Sequence, residues 1–217
     1  MPTDRLGNML RAHAAIGMGA ASLVLVATSV ANLLKPHVDP LDDPVSNLAR
    51  GHMGQIVGVT FVVAGLGLIA LAAALRRTVR GGPRWAATTP MALGGVCILL
   101  LAVFRADPTI VPSTMEGRVH LILAGFGFLC LGTSFLVHTE LFRLDPRWQG
   151  PNRYLRPLAW CGLGLFYLNA ALLVGGIVVG PLVLIGLFER LMMGTMLGWT
   201  ALTSLHLRRL SRSVPSP

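Results

Sequence analysis

Apolar residues run along the chain in six long blocks, near 12–34, 53–75, 88–104, 118–138, 158–180 and 183–206, parted by short polar connections marked by proline and glycine. A helix needs about 20 apolar residues to cross the ~30 Å hydrocarbon core of a bilayer. The pattern therefore predicts six transmembrane helices. In lipid a helix satisfies its backbone groups within its own segment, so the expected fold is all-α, a polytopic bundle forming one domain over residues 1–217. The connections leave no room for a separate soluble domain.

Charge refines this picture by its placement. Only 12% of residues are charged, against about 25% in soluble domains, and the mean hydropathy is +0.67. A net charge of +9 would suit a nucleic-acid binder, but thirteen of the eighteen basic residues lie before span one, between spans two and three, between spans four and five, and after span six. The opposite loops carry Lys35, Arg50, Arg105 and Arg118 beside Asp39, Asp42, Asp43, Asp107 and Glu116. That asymmetry is the positive-inside pattern; it places both termini in the cytoplasm, with membrane lipids as the partners and no nucleic acid. Trp85, Trp148, Tyr154 and Trp160 fit an interfacial aromatic belt on the basic side. The first block is longer than a signal-peptide core, so it is expected to stay uncleaved despite the small residues Ser29-Val30-Ala31. Cys97, Cys130 and Cys161 fall inside spans and form no disulfide framework or zinc motif. Gly54/Gly58, Gly176/Gly180 and Gly194/Gly198 have the spacing that lets helix backbones approach closely.

Polar residues are costly in lipid, and those that remain concentrate on the outer side. Asp43 before Pro44 reads as a helix start leading towards span two, with Ser46 and Arg50 four apart on one face. Ser113 and Glu116 fit a capping box, and Glu116 stands four before His120, where a carboxylate can orient the imidazole. Glu189 and Arg190 begin span six; with a helix start near Leu182, Glu189 would lie ~10 Å along it. Adjacent residues point ~100° apart, so each needs a partner from elsewhere: Arg118 or Arg50 for Glu189, Asp43 or Asp107 for Arg190. On the inner half, His13, His138 and His206 sit where interfacial histidines sit. Paired with His52 and His120 they sketch a two-layer haem arrangement that no motif fixes, so no cofactor is specified.

The run Asp43-Pro44-Val45-Ser46 with Arg50-Gly51, the run Gly117-Arg118-Val119-His120, and Gly186-Leu187-Phe188-Glu189-Arg190 with Trp199 together resemble the bacterial six-helix family catalogued as domain of unknown function number nine hundred and ninety-eight. The resemblance covers nearly the whole chain. It implies a multi-pass protein of the bacterial cytoplasmic membrane, and it is more remotely similar to the damage-regulated autophagy modulator family. No activity comes with it.

Three functions compete. The leading expectation is an outer pocket for a lipid headgroup or small anion. Arg50, Arg105, Arg118 and Arg190 would donate, and Asp43, Asp107 and Glu189 would hold the guanidinium groups, beside Ser46 and His120. The alternative is a lipid-acting hydrolase or transferase with Ser46 as nucleophile, His120 as base and Glu116 or Glu189 orienting it, or an outer zinc site at His37, His52 and His120. A transporter ranks third, because the mid-membrane polar inventory is thin.

Overall fold

The computed structural model describes residues 3–51, 54–108, 112–179 and 184–212. Six α-helices run through them: α1 (Thr3–Leu34), α2 (Gly54–Thr78), α3 (Arg84–Leu100), α4 (Met115–Leu144), α5 (Gln149–Val179) and α6 (Ile185–Arg212), with a 3₁₀ turn at Val45–Ala49 between α1 and α2. No strand occurs among the described residues. His52 and the Gly180-Pro181 turn lie outside the described residues.

Four helices, α1, α2, α4 and α5, are long and apolar enough to cross a membrane, which marks a membrane-embedded protein. Length and composition by themselves mark these four of the six expected spans. α3 is apolar but only 17 residues long. α6 is mixed in character: Glu189, Arg190, Thr195, Thr200, Thr203, Ser204 and His206 are interspersed with leucines and methionines.

Each helix packs on its neighbours in sequence, and α6 returns to pack on α1, closing a ring. Alternating direction gathers Arg76, Arg77, Arg84, Arg143, Arg153 and Arg208 at one end, here the basic end. Asp39, Asp42, Asp43, Asp107, Glu116 and Glu189 gather at the other, the acidic end. The helices meet most closely where glycine removes the side chain. A Cβ on Gly65 of α2 would stand 2.5 Å from the Gly95 carbonyl oxygen of α3, and one on Gly95 would stand 2.8 Å from that of Gly65. Two of the glycine pairs expected from spacing do not make such helix crossings: Gly58 and Gly194 face open space, and Gly198 meets only Leu158 at 3.9 Å, while the Gly176/Gly180 pair reaches outside the described residues.

An aromatic stack fills the basic half. Phe135 stacks on Trp199 at 4.1 Å and Phe142 on Trp148 at 4.1 Å. Two expectations fail here. Trp148 is fully buried rather than part of the interfacial belt, whereas Trp85, Tyr154 and Trp160 are exposed. His138 is fully buried between Phe142 and Trp199 rather than interfacial, because α4 continues to Leu144, beyond the expected end of the span.

Asp145 locks the basic-end loops. Its carboxylate takes Arg147 Nε at 3.0 Å and Nη2 at 2.7 Å, and accepts the Arg80 N–H at 3.1 Å, while Arg147 Nη2 also reaches the Thr78 carbonyl at 2.6 Å. The guanidinium hydrogen bonds hold the Asp145 carboxyl below the usual carboxylate range. A depressed folded-state pKa stabilises above the unfolded value of ~4 and stops doing so as pH falls through the folded one. Thermal unfolding of the wild type is therefore expected to ease as pH drops below ~4. Asp145→Asn should already be destabilised at pH 7, and its loss relative to the wild type should shrink with acidification; a constant gap across that window would contradict this.

Candidate functional site

The acidic end is organised around the 3₁₀ turn. Lys35, the one lysine of the chain, leaves α1 buried and donates Nζ to the Leu48 carbonyl at 2.7 Å and to the Arg50 carbonyl. A cation at carbonyls that end a short helix complements their partial negative charge. Burial first, and then the neighbouring Arg50 charge, push the Lys35 ammonium down from its ordinary value. At the opposite end of the turn, Glu189 Oε2 accepts the Val45 N–H at 2.9 Å. Arg190 donates Nη1 to the Asp43 carbonyl at 2.7 Å and to the Gly186 carbonyl at 3.0 Å, and Nη2 to Asn32 Oδ1 at 3.0 Å. The α6 start is drawn onto the same loop by Leu184 N–H to Asp42 Oδ1 at 2.7 Å and Leu187 N–H to the Leu41 carbonyl at 2.9 Å.

Several expectations shift here. α6 begins at Ile185, so Glu189 stands about 6 Å along it, one turn in, rather than ~10 Å. Glu189 and Arg190 find backbone partners instead of the expected Arg118 or Arg50 and the Asp43 or Asp107 carboxylates. Pro44 precedes the turn, and the Asp43 carboxylate takes the Asp39 N–H at 2.8 Å and Asn47 Nδ2 at 3.1 Å rather than capping the turn's own N–H groups. Three residues per turn in a 3₁₀ helix also separate Ser46 from Arg50, which leaves the element altogether.

At the head of α4 the cap is Thr114, not Ser113: its hydroxyl accepts the Gly117 N–H at 2.9 Å. Asp107 pins the loop by accepting the Ser113 N–H at 2.7 Å, the Thr114 N–H at 2.8 Å and the Thr114 hydroxyl at 2.8 Å. Those bonds, chiefly from Thr114, lower its pKa. Glu116 is spent on the Arg105 N–H at 2.8 Å. His120 is instead oriented by the Phe104 carbonyl, 2.8 Å from Nδ1. A carbonyl only accepts, so the proton sits on Nδ1 and Nε2 is left as an acceptor, unengaged among the described residues.

Two chambers adjoin at Ser46, Ala124, Phe128, His120 and Glu189, which line both. The inner one, about 90 Å³, reaches into the ring between Val24, Phe61, Leu68, Leu131, Phe135 and Met196 and is otherwise almost wholly apolar. The outer one, about 190 Å³, adds Asp42, Asp43, Asp107 and Asn169. Both far exceed the ~10–15 Å³ that one water needs. His120 is 7% exposed, and the Ser46 hydroxyl has no hydrogen-bond partner among the described residues.

The structure thus brings together Asp43, Ser46, Asp107, His120 and Glu189. It does not bring the arginines to them. None of Arg50, Arg105, Arg118 and Arg190 lines either chamber; Arg105 and Arg118 are exposed and Arg190 is spent on carbonyls. His37 is exposed in its loop, and no group of three His, Cys, Asp or Glu residues arranged for a metal occurs among the described residues. Sequence reasoning gave Lys35 no role; its standing as the single lysine among seventeen arginines was the available signal.

A family model described as Protein of unknown function (DUF998) matches residues 18–206. No curated protein and no solved structure matches the chain.

Proposed function

The chain belongs to this family of unknown function, and from its geometry we propose that it binds a membrane lipid, with the headgroup end at Ser46, His120 and Glu189 and an acyl chain in the inner chamber. One observation carries the reading: a polar cluster, with His120 buried and Ser46 and Glu189 half-buried, sits where an apolar chamber and a polar one meet, a division that matches an amphiphile. By the positive-inside rule the basic end is cytoplasmic and the site opens towards the outer leaflet of a bacterial plasma membrane, crossed by all six helices.

Electrostatics select the headgroup. Four carboxyl groups line the outer chamber and no arginine or lysine does so. A phosphate or carboxylate would meet like charge there, whereas hydroxyl or amine groups would donate to Glu189, Asp43 and the free Nε2 of His120. The favoured ligand is a lipid with a hydroxyl or amine headgroup and no net negative charge, in place of the small anion that the arginines suggested.

Native mass spectrometry of the gently solubilised protein, offered diacylglycerol or phosphatidylglycerol, tests this. Wild type is expected to retain diacylglycerol in preference. Ala124→Phe, which fills the junction of the chambers, should remain folded and lose at least ten-fold in retention. No retained lipid in the wild type, or preferential retention of phosphatidylglycerol abolished by Arg118→Ala, would overturn the proposal.

A second reading rests on the same junction. Nδ1 held by a carbonyl leaves His120 Nε2 to take the Ser46 hydroxyl proton as that oxygen attacks a lipid ester; the alcohol leaves with the proton, and water then releases the acid. Fatty acid released from bound diacylglycerol, and lost in Ser46→Ala, would establish it; recovery of the lipid intact would exclude it.

A further inference from the structure

α4 and α5 are packed tightly at mid-height and part towards the acidic end. A Cβ on Gly132 of α4 would stand 2.8 Å from Leu163 Cδ1 of α5. Gly125 lies seven residues earlier, two turns along the same stripe of α4 and ~10 Å away, and nothing stands within 4 Å of the position its Cβ would take. One stripe therefore runs from close contact to a gap.

The walls of that gap are apolar and belong to the outer chamber. Leu121, Gly125 and Phe128 line it from α4, and Phe166, Ala170 and Leu173, spaced as one helix face, line it from α5. On the outward side of the same two helices, Ile122, Phe126, Tyr167 and Val174 are at least half exposed, as lipid-facing residues are. Gly125 stands ten residues inside α4, ~15 Å from its start. That is hydrocarbon depth, where a water-soluble ligand has no path and an acyl chain does.

We propose that the lipid reaches the chambers sideways from the bilayer, its acyl chain passing between α4 and α5 at Gly125. This rests on the lipid-binding reading above. It accounts for an apolar breach in the ring beside a polar site, which a ligand arriving from the aqueous side would not require.

The test uses wild type, Gly125→Phe and Gly164→Phe in vesicles, following uptake of a pyrene-labelled diacylglycerol by stopped flow. Gly164 lies on α5, also faces open space and lines neither chamber, so its variant controls for bulk. Gly125→Phe is expected to slow uptake at least ten-fold, with Gly164→Phe at the wild-type rate. Ala170→Phe, on the opposite wall, should reproduce the slowing and stands in should Gly125→Phe fail to fold. Wild-type uptake in both wall variants would overturn the lateral route and leave the binding site standing. No uptake by wild type would overturn the binding reading and this route with it.

Discussion

Arg190→Ala is expected to destabilise the protein by about 3 kcal/mol, read as a fall in the thermal unfolding midpoint in detergent. Its guanidinium makes three hydrogen bonds, to the Asp43 and Gly186 carbonyls and to Asn32 Oδ1, joining the ends of α1 and α6 to the loop before the 3₁₀ turn. Hydrogen bonds from a charged donor are worth ~1.5–3 kcal/mol each, and truncation leaves the acceptors without their partner. Part of that total is offset because a half-buried guanidinium no longer has to be desolvated. Arg190→Lys keeps the charge but loses the fork that spans two acceptors, so an intermediate loss is expected. An unfolding midpoint unchanged in Arg190→Ala would mean that the turn holds its place without α6.

Gly65→Leu is expected to cost about 3 kcal/mol or more, near the upper end of overpacking penalties. The obstruction is backbone: the new Cβ would stand 2.5 Å from the Gly95 carbonyl oxygen and 2.9 Å from Leu99 N. Backbone atoms cannot swing aside as a side-chain tip can, so α2 and α3 must separate. Gly58→Leu on the same helix meets open space and should leave the midpoint within ~0.5 kcal/mol. Equal effects of the two substitutions, measured by thermal unfolding, would contradict the crossing.

The contrast between Gly65 and Gly58 shows where sequence stops being legible. Spacing of small residues along one helix reveals a smooth face, but not whether another backbone lies against it. Gly54/Gly58 and Gly194/Gly198 have the spacing and lack the crossing, while Gly65 and Gly95 form it from two different helices. Hydrophobic blocks located all six helices, because burial in lipid or in the ring demands apolar residues in either case. For the same reason they said little about which side of each helix faces the ring, as α6 illustrates by burying Met196, Trp199 and Leu207 together with Thr200, Thr203 and Ser204.

The acidic end was legible in its residue types more than in its pairings. Asp43, Ser46, His120 and Glu189 do line a common chamber although they come from three separate segments. Which oxygen meets which nitrogen was hidden, since charged side chains at helix ends satisfy carbonyl and N–H groups that carry no sequence signature. Glu189 chose the Val45 N–H, Arg190 the Asp43 carbonyl, and Lys35 the carbonyls that close the 3₁₀ turn. Complementary charge in the sequence suggested guanidinium groups facing a ligand; in the fold the Arg190 guanidinium donates to two backbone carbonyls and the Asn32 side chain, and the chamber wall is left to the carboxylates.

Photolabelling tests the central claim, that a lipid chain occupies the inside of the ring. A diacylglycerol with a diazirine near its chain end, reconstituted with the wild type and irradiated, would be mapped by peptide mass spectrometry. Labels are predicted on inward residues such as Phe61, Leu131, Met193 and Met196, which line the inner chamber, and they should be competed by unlabelled diacylglycerol. Labels confined to the outward residues Leu66, Ile122 and Val174, without competition, would show the lipid around the ring and not within it.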